Sequence, residues 1–327
     1  MADIIYFVIP CYNEEDVLPL TAEKLSYKMR LLIKNGLAKE ESRILLVDDG
    51  SKDKTWQLIE ELSNKDNIFT GLKLSHNKGH QNALLAGLMT AKEYADAVIS
   101  MDADLQDDVG AVDAFLKAYY DGCDIVYGVR SSREKDSFFK RATALGFYQL
   151  MRAMGTEMVS DHADYRLMSK RALDCLAQYK EVNLFLRGIV PQIGLKYTYV
   201  YYERGKRAAG TSKYPLKKMF SFALDGITSF SVKPLRLITS LGLIVTCLSV
   251  VVFVAKLAAG FGADMASSLW TLGGIELLAL GIVGEYIGKI YSEVKGRPRY
   301  LIEKNLCEET MQIHDFSAMT DLNKKTG

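Results

Sequence analysis

Val98-Ile99-Ser100-Met101-Asp102-Ala103-Asp104-Leu105-Gln106-Asp107 decides how this chain is read. An apolar run ends in two carboxylates one residue apart. Ala97 to Met101 reads as a buried strand, which sets the acidic cluster at the C-terminal edge of a sheet. In open α/β sheets that edge is where ligands bind. On a continuing strand, Asp102 and Asp104 face the same way. Their hard oxygens, with the amide oxygen of Gln106, suit Mg²⁺ or Mn²⁺ held partly by substrate phosphates. The alternative is an acidic turn that caps the next helix, with Asp107 or Asp108 as N-cap.

The segments on either side supply the sheet. Asp3 to Ile9, Arg43 to Val47, Phe69 to Leu74 and Asp124 to Val129 read as further strands. Helical spacing fills Leu18 to Asn35, Thr55 to Ser63, Ala83 to Ala91 and Val112 to Asp121. Strand and helix alternate, which is the pattern of a parallel sheet covered on both faces. The loops after the first, second and fourth strands then share an edge, so Tyr12, Glu14, Asp49 and the Asp102/Asp104 pair share a cleft. No G-x-G-x-x-G follows the first strand and no G-x-x-x-x-G-K-[ST] occurs, which disfavours a Rossmann dinucleotide site and a P-loop.

Composition narrows the class. The 327 residues carry a net charge of +1, so no global field points to nucleic acid. Five cysteines lie far apart without a C-x-x-C, as reduced thiols do, and offer no zinc site or disulfide framework. The start, Met1-Ala2-Asp3, lacks the basic region and cleavage site of a signal peptide. Leu235 to Phe261 and Leu269 to Ile290 are almost uncharged. Each reaches the roughly 20 residues that cross a hydrocarbon core. As a tandem pair they read as membrane spans rather than soluble core helices. Lysine and arginine cluster before the first (Lys213, Lys217, Lys218, Lys233, Arg236) and after the second (Lys289, Lys295, Arg297, Arg299). The positive-inside rule then places both termini and the α/β domain in the cytoplasm. Phe220, Phe222, Leu224, Ile227 and Phe230, set among Lys217, Lys218 and Lys233, read as interfacial helices over 214–233. Gly284 and Gly288 form a G-x-x-x-G that suits close packing in a homo-oligomer, and Glu276 falls within the second span.

Six motifs occur in order: Ile9-Pro10-Cys11-Tyr12-Asn13-Glu14-Glu15, Val47-Asp48-Asp49-Gly50-Ser51, His80-Gln81-Asn82-Ala83-Leu84-Leu85-Ala86-Gly87, Asp102-Ala103-Asp104-Leu105-Gln106-Asp107, Asp164-Tyr165-Arg166-Leu167-Met168-Ser169 and Arg207-Ala208-Ala209-Gly210-Thr211-Ser212-Lys213-Tyr214-Pro215. Together they resemble the GT-A catalytic domain of family 2 glycosyltransferases. The resemblance is to the polyprenyl-phosphate sugar transferases, among them bactoprenol glucosyltransferases and dolichyl-phosphate mannose synthases, and it reaches to about Ile302.

The resemblance implies an α/β GT-A domain over 1–213, interfacial helices over 214–233, a two-helix transmembrane region over 234–291 and a cytoplasmic tail over 292–327. It implies a multi-pass protein of the inner (plasma) membrane. The reaction it implies is inverting transfer of a sugar from a nucleotide sugar, UDP-glucose first and UDP-galactose, UDP-GlcNAc or GDP-mannose next, to polyprenyl phosphate. Asp104 and Gln106 would then ligate Mg²⁺ or Mn²⁺, with Asp102 ligating it or holding the ribose. Pro10, Tyr12, Glu14, Val47, Asp49 and Ala103 would line the nucleotide pocket, with Asp49 reading the base edge. Arg207 and Lys213 would hold the donor phosphates. Arg130, Arg133, Lys140 and Arg141 would hold the acceptor phosphate, although Arg133 and Lys140 also fit a solvated face. Asp164 is either a base or, with Arg166, a brace for the pocket.

Three positions depart from the family pattern: Asp108 stands at a common proline, Lys78 at a common aromatic and Ala163 at a common glycine. A processive synthase is disfavoured because Gln192 lacks the following Arg-Trp and only two spans are present. A non-catalytic membrane scaffold is the rival from another class.

Overall fold

The computed structural model describes residues 2–131, 162–203 except Asn183, isolated positions from 235 to 251, and 265–307. Eight strands form one sheet: β1 (Ile5–Cys11), β2 (Arg43–Asp48), β3 (Phe69–Leu74), β4 (Ala97–Ser100), β5 (Ile125–Arg130), β6 (His162–Ser169), β7 (Tyr197–Tyr202) and β8 (Ile302–Asn305), in the spatial order β7-β5-β6-β4-β1-β2-β3-β8. Helices with defined ends among the described residues are α1 (Leu18–Lys34), α2 (Thr55–Lys65), α3 (His80–Ala91), α4 (Val112–Tyr120), α5 (Lys170–Leu176), α6 (Leu186–Gln192) and α7 (Met265–Lys295).

The sheet is mostly parallel. β1 pairs parallel with β2 and β4, β2 with β3, and β5 with β7; β6 and β8 run antiparallel to their neighbours. The strands alternate between two cores. Phe7, Ile9, Ile44, Leu46 and Ile99 pack with Leu25, Met29, Ile59 and Phe115 of α1, α2 and α4. Val8, Leu45, Val47 and Val98 pack with Leu84, Leu88, Leu173 and Ile189 of α3, α5 and α6. Burial on both faces is why these strands read as continuous apolar runs rather than alternating ones.

Proline belongs inside β1 for a local reason. β4 ends at Ser100 opposite Val8, and Met101 N–H donates to the Val8 carbonyl at 3.2 Å. Pro10, two residues on, faces the same side, where no strand remains to receive an N–H. β1 therefore runs on through Cys11, beyond the expected end at Ile9.

Other expectations shift. β4 stops at Ser100, so Asp102 and Asp104 lie on a turn and not on a continuing strand. α3 starts at His80, three residues early, because Gly79 takes φ +87° and lets the chain turn directly into the helix. The tail drawn from 292 contains a strand of the catalytic sheet: β8 pairs antiparallel with β3, and Cys307 is buried beyond it. β6 and β7 complete the other flank, where the sequence reading had no strand.

The interfacial helices over 214–233 and most of the first apolar stretch lie outside the described residues. Among the described residues, no helix is long and apolar enough to cross a membrane.

Gly87 sets how closely α3 approaches the sheet. A Cβ there would meet Val8 Cγ1 at 2.5 Å and Val47 Cγ2 at 2.7 Å, both on buried branched side chains. Gly87→Ala is expected to lower stability by about 1–3 kcal/mol through overpacking. Thermal denaturation of the variant checks this, and an unchanged Tm would refute it.

Candidate active site

The C-terminal ends of β1 to β5 and β7, and the start of antiparallel β6, fall on one edge of the sheet. Two non-glycine residues with positive φ lie at that edge, Asn13 at +54° and Leu105 at +56°. Such conformations cost on the order of 1–3 kcal/mol and cluster at functional sites.

The loops after β1 and β2 are laced together. Asn13 N–H donates to Ser51 Oγ at 3.0 Å, Glu14 N–H to Thr55 Oγ1 at 2.9 Å, and Lys52 N–H to Asn13 Oδ1 at 2.9 Å. Asp48 closes the turn after β2 by accepting from Ser51 N–H at 3.1 Å. Asp49 is buried, and its two oxygens accept from Lys78 N–H at 2.7 Å and Gly79 N–H at 2.9 Å. Asp49 thus grips the loop that enters α3. Burial raises its pKa, against the pull of those two N–H groups. Pro10 and Val47 are buried strand neighbours behind these loops, and Tyr12 is exposed in front of them.

The acidic turn, 101–108, is held by its backbone and its last carboxylates. Thr21 Oγ1 donates to the carbonyl of buried Ala103 at 2.7 Å, and Tyr165 Oη to the Asp108 carbonyl at 2.9 Å. Gln106 N–H closes a local turn on Asp104 Oδ1 at 3.1 Å. Buried Asp107 accepts a short hydrogen bond from Tyr202 Oη, and Arg130 Nη2 lies 3.7 Å from the same oxygen. Asp108 caps the 3-10 turn Val109–Ala111 by accepting from Gly110 N–H at 2.8 Å. The capping alternative is therefore realised by Asp108, while Asp102 and Asp104 remain at the edge.

Asp164 sits behind them on β6. Arg166 Nη2 donates to its Oδ1, and Arg187 reaches Oδ2 through Nη2 at 3.1 Å and Oδ1 through Nε at 3.4 Å. His80 Nε2 lies 3.6 Å from Asp164 Oδ2 and 3.5 Å from Asp102 Oδ1. Burial alone would raise the Asp164 carboxyl; Arg187, His80 and Arg166 outweigh it and hold the group well below the usual carboxylate range. A carboxylate so engaged is a weak base, which favours the bracing role. Burial would lower the His80 imidazole, but the nearby carboxylates of Asp164 and Asp102 raise it.

Asp102 shows the opposite balance. Its side chain is 37% accessible, yet the protein packed around the edge desolvates it. That burial, with the charges of Asp107, Asp164 and Asp104, pushes its pKa up to about 6 despite His80. Crowded carboxylates of this kind suit a cation. Among the described residues no three His, Cys, Asp or Glu side chains form a metal-holding group. Asp102 and Asp104 would therefore hold Mg²⁺ or Mn²⁺ only with other oxygens, as Mg²⁺ does with phosphates.

Asp102, Asp104, Asp164 and Arg130 thus come together around one turn. Arg133, Lys140, Arg141, Arg207 and Lys213 lie outside the described residues. The sequence reading gave no catalytic or binding role to His80, Arg187, Asp107 or Tyr202. His80 opens a helix right after a glycine, and Asp107 closes the acidic motif, so both carried a local signal. Arg187 and Tyr202 carried none, because strand and helix packing brings them in from far along the chain.

A parallel-strand edge that gathers acidic, basic and imidazole groups around a strained turn defines an α/β enzyme acting on a charged ligand. The glycosyl transferase family 2 model matches residues 6–177, which contain this turn, and the chain belongs to that family of glycosyltransferases. It is 53% identical over 329 residues to the uncharacterized glycosyltransferase YkoT of Bacillus subtilis, covering 98% of each chain. It is 36% identical over 312 residues to the SfII prophage-derived bactoprenol glucosyl transferase of Shigella flexneri, covering 92% of this chain and 98% of that one. Among solved structures, glucosyl-3-phosphoglycerate synthase from Mycobacterium tuberculosis is similar at a TM-score of 0.44 and 16% identity, over 69% of this chain and 78% of that one.

The raised Asp102 pKa has a stability consequence. Between its ordinary value of 3.8 and about 6, the folded protein binds more protons than the unfolded chain. Stability of the metal-free protein therefore falls as pH rises through that window, and the loss is complete above it. Asp102→Asn should raise the Tm in EDTA at pH 8 and give no gain at pH 4. Equal effects at both values would contradict the assignment.

Proposed function

We propose that this glycosyltransferase is a membrane-anchored, inverting enzyme that moves a sugar from a nucleotide sugar, UDP-glucose in the first instance, to polyprenyl phosphate. The observation that carries the reading is the collinear similarity to a bactoprenol glucosyl transferase over 98% of that chain, which takes in both the acidic turn and the apolar stretches.

The topology supports a lipid acceptor. The chain leaves the described sheet after Ser131 and after Glu203, and re-enters it at Ile302. All three points lie at the edge that carries the acidic turn, since Ile302 pairs with Leu74 at the end of β3. Segments reaching towards a bilayer from that edge would bring it close to a lipid phosphate. Leu280, Ile287 and Ile290 of α7 are exposed apolar side chains, and so are Ile244, Leu248 and Val251 of the first apolar stretch. Among the described residues an added Cβ at Gly284 or Gly288 meets nothing within 4 Å, a face that would suit a second copy. The reading keeps both apolar stretches as spans, over 234–291, with 214–233 at the interface, in the plasma membrane.

The chemistry follows from charge. A bound divalent cation supplies positive charge against the departing nucleoside diphosphate. Asp102 and Asp104, with Gln106, would hold it, and Arg207 and Lys213 would hold the donor phosphates. Pro10, Tyr12, Glu14, Val47, Asp49 and Ala103 would shape the nucleotide pocket. An acceptor phosphate has a second pKa near 6 and is largely dianionic at neutral pH. Its oxygen needs no strong base, in keeping with the suppressed basicity of Asp164. Arg130, with Arg133, Lys140 and Arg141, would hold that phosphate. The phosphate oxygen bonds to C1 as the bond from C1 to the diphosphate oxygen breaks on the opposite face. An α-linked donor therefore gives a β-linked product.

The test offers labelled UDP-glucose, UDP-GlcNAc, UDP-galactose and GDP-mannose to the detergent-solubilised full chain, with Mn²⁺ and with or without undecaprenyl phosphate. Label should enter the lipid phase from UDP-glucose only when the acceptor is present. Asp104→Ala should abolish it. Arg130→Ala, losing a charged hydrogen bond of about 1.5–3 kcal/mol, should raise the acceptor KM roughly 10–100-fold and leave the donor KM near wild type. Transfer from another sugar would replace glucose in the reading. Absence of metal-dependent nucleotide binding would leave the scaffold reading.

A further inference from the structure

The proposed chemistry assigns nothing to Arg187, yet its position in the charge cluster is specific. Asp164 presents two oxygens to two guanidinium groups and an imidazole. Oδ1 takes Arg166 Nη2 and Arg187 Nε; Oδ2 faces Arg187 Nη2 and His80. Arg187 alone spans both oxygens. Without it, the carboxylate keeps Arg166 on one oxygen only and can turn about that contact. His80 then loses the fixed partner that sets it 3.5 Å from Asp102.

The surroundings of Arg187 are packed and hydrogen-bonded. Leu186, Ile189 and Val190 of α6 are buried. Leu186 N–H donates to Gln81 Oε1 at 2.9 Å, tying the start of α6 to the first turn of α3, the turn that carries His80. Asp164 is fixed through its backbone too, since Ser100 Oγ donates to its carbonyl at 2.6 Å where β4 runs into the acidic turn. α3, α6, β4 and β6 therefore meet at Asp164.

We propose that Arg187 is a positioning residue for sugar transfer: it locks Asp164 across both oxygens, and through Asp164 and His80 it fixes Asp102 at the acidic turn. The proposal rests on Asp102 belonging to the cation and nucleotide site. Arg166 has a different part. It is 1% exposed and hydrogen-bonded within the core, so its loss is a loss of the fold. The Arg187 side chain is 35% accessible, so water can replace it without collapse.

The experiment compares full-length Arg187→Gln and Arg187→Lys with wild type by three readouts. The first is the His80 ring signal in ¹⁵N-histidine NMR with EDTA; the chain has four histidines, and His80→Asn assigns the peak. The second is Mn²⁺ affinity in the presence of UDP. The third is kcat and the two KM values. Arg187→Gln should displace the His80 signal, weaken Mn²⁺ about 10-fold and lower kcat roughly 10–100-fold, the range typical of losing a residue that orients a metal ligand. The acceptor KM should stay near wild type, and Arg187→Lys should recover part of the loss. An unmoved His80 signal with unchanged Mn²⁺ affinity overturns the proposal. So does a raised acceptor KM at intact kcat, which would make Arg187 a phosphate ligand. Identical defects in both variants, confined to Tm, also overturn it. If wild type transfers no sugar to polyprenyl phosphate while His80 and Mn²⁺ still respond to Arg187→Gln, the acceptor reading fails and the positioning role stands.

Discussion

Asp164 lies between two guanidinium groups and an imidazole, and the charge state of the whole edge depends on that contact. Four carboxylates, Asp102, Asp104, Asp107 and Asp164, occupy one small region at the ends of β4 and β6. Like charges at such distances oppose one another's ionisation. The protein separates them by giving each a different partner. Asp164 has Arg166, Arg187 and His80, and is held firmly ionised. Asp107 has Tyr202 and Arg130. Asp104 closes a turn on Gln106 N–H. Among the ion pairs of the described residues Asp102 has only the long contact to His80, and it is the one whose pKa rises to about 6. The unfavourable charge is thus concentrated on the residue that a divalent cation would relieve.

Neutral contacts hold the turn in place so that this charge is not relieved by movement. Thr21 from α1, Tyr165 from β6 and Tyr202 from β7 reach the turn from three elements. Phe115 packs on Tyr165 with ring centroids 4.6 Å apart, and Tyr165 meets Tyr202 edge-on at 5.2 Å. The aromatic contacts connect the core beneath α4 with the hydroxyls that hold the turn. They also let Leu105 stay at φ +56°. Strain of that kind persists only where the surroundings over-determine the backbone.

How much of this was legible in the sequence depended on the range of the interaction. The first five strands and four helices were readable because their apolar spacing is local, and their errors are confined to the ends. β1 ran past Pro10 because the neighbouring strand had already stopped, which no local pattern reveals. The acidic motif was readable as a site, but its conformation was not, because a leucine in left-handed geometry has no signature. The Asp49 side chain illustrates the limit further. Its position was foreseen, whereas its partners, the N–H groups of Lys78 and Gly79, come from a loop about thirty residues away. β8 was invisible for the same reason. Ile302–Asn305 is a short polar stretch that becomes a strand only because β3 offers an open edge.

That last strand constrains the rest of the chain. β7 and β8 belong to one sheet, so the chain that leaves at Tyr202 must come back to the same body by Ile302. A domain cannot lie on both sides of a bilayer. Any crossing made between those residues is therefore matched by a return, and the number of crossings is even. One apolar stretch alone could not serve as a span, because β8 would then be stranded opposite its partner β3. The pairing of Leu72 with Asn305 and of Leu74 with Ile302 thus bears on the membrane arrangement independently of where the lysines and arginines fall. It admits the two-span reading on the same terms as the charge distribution does, and it excludes a single span.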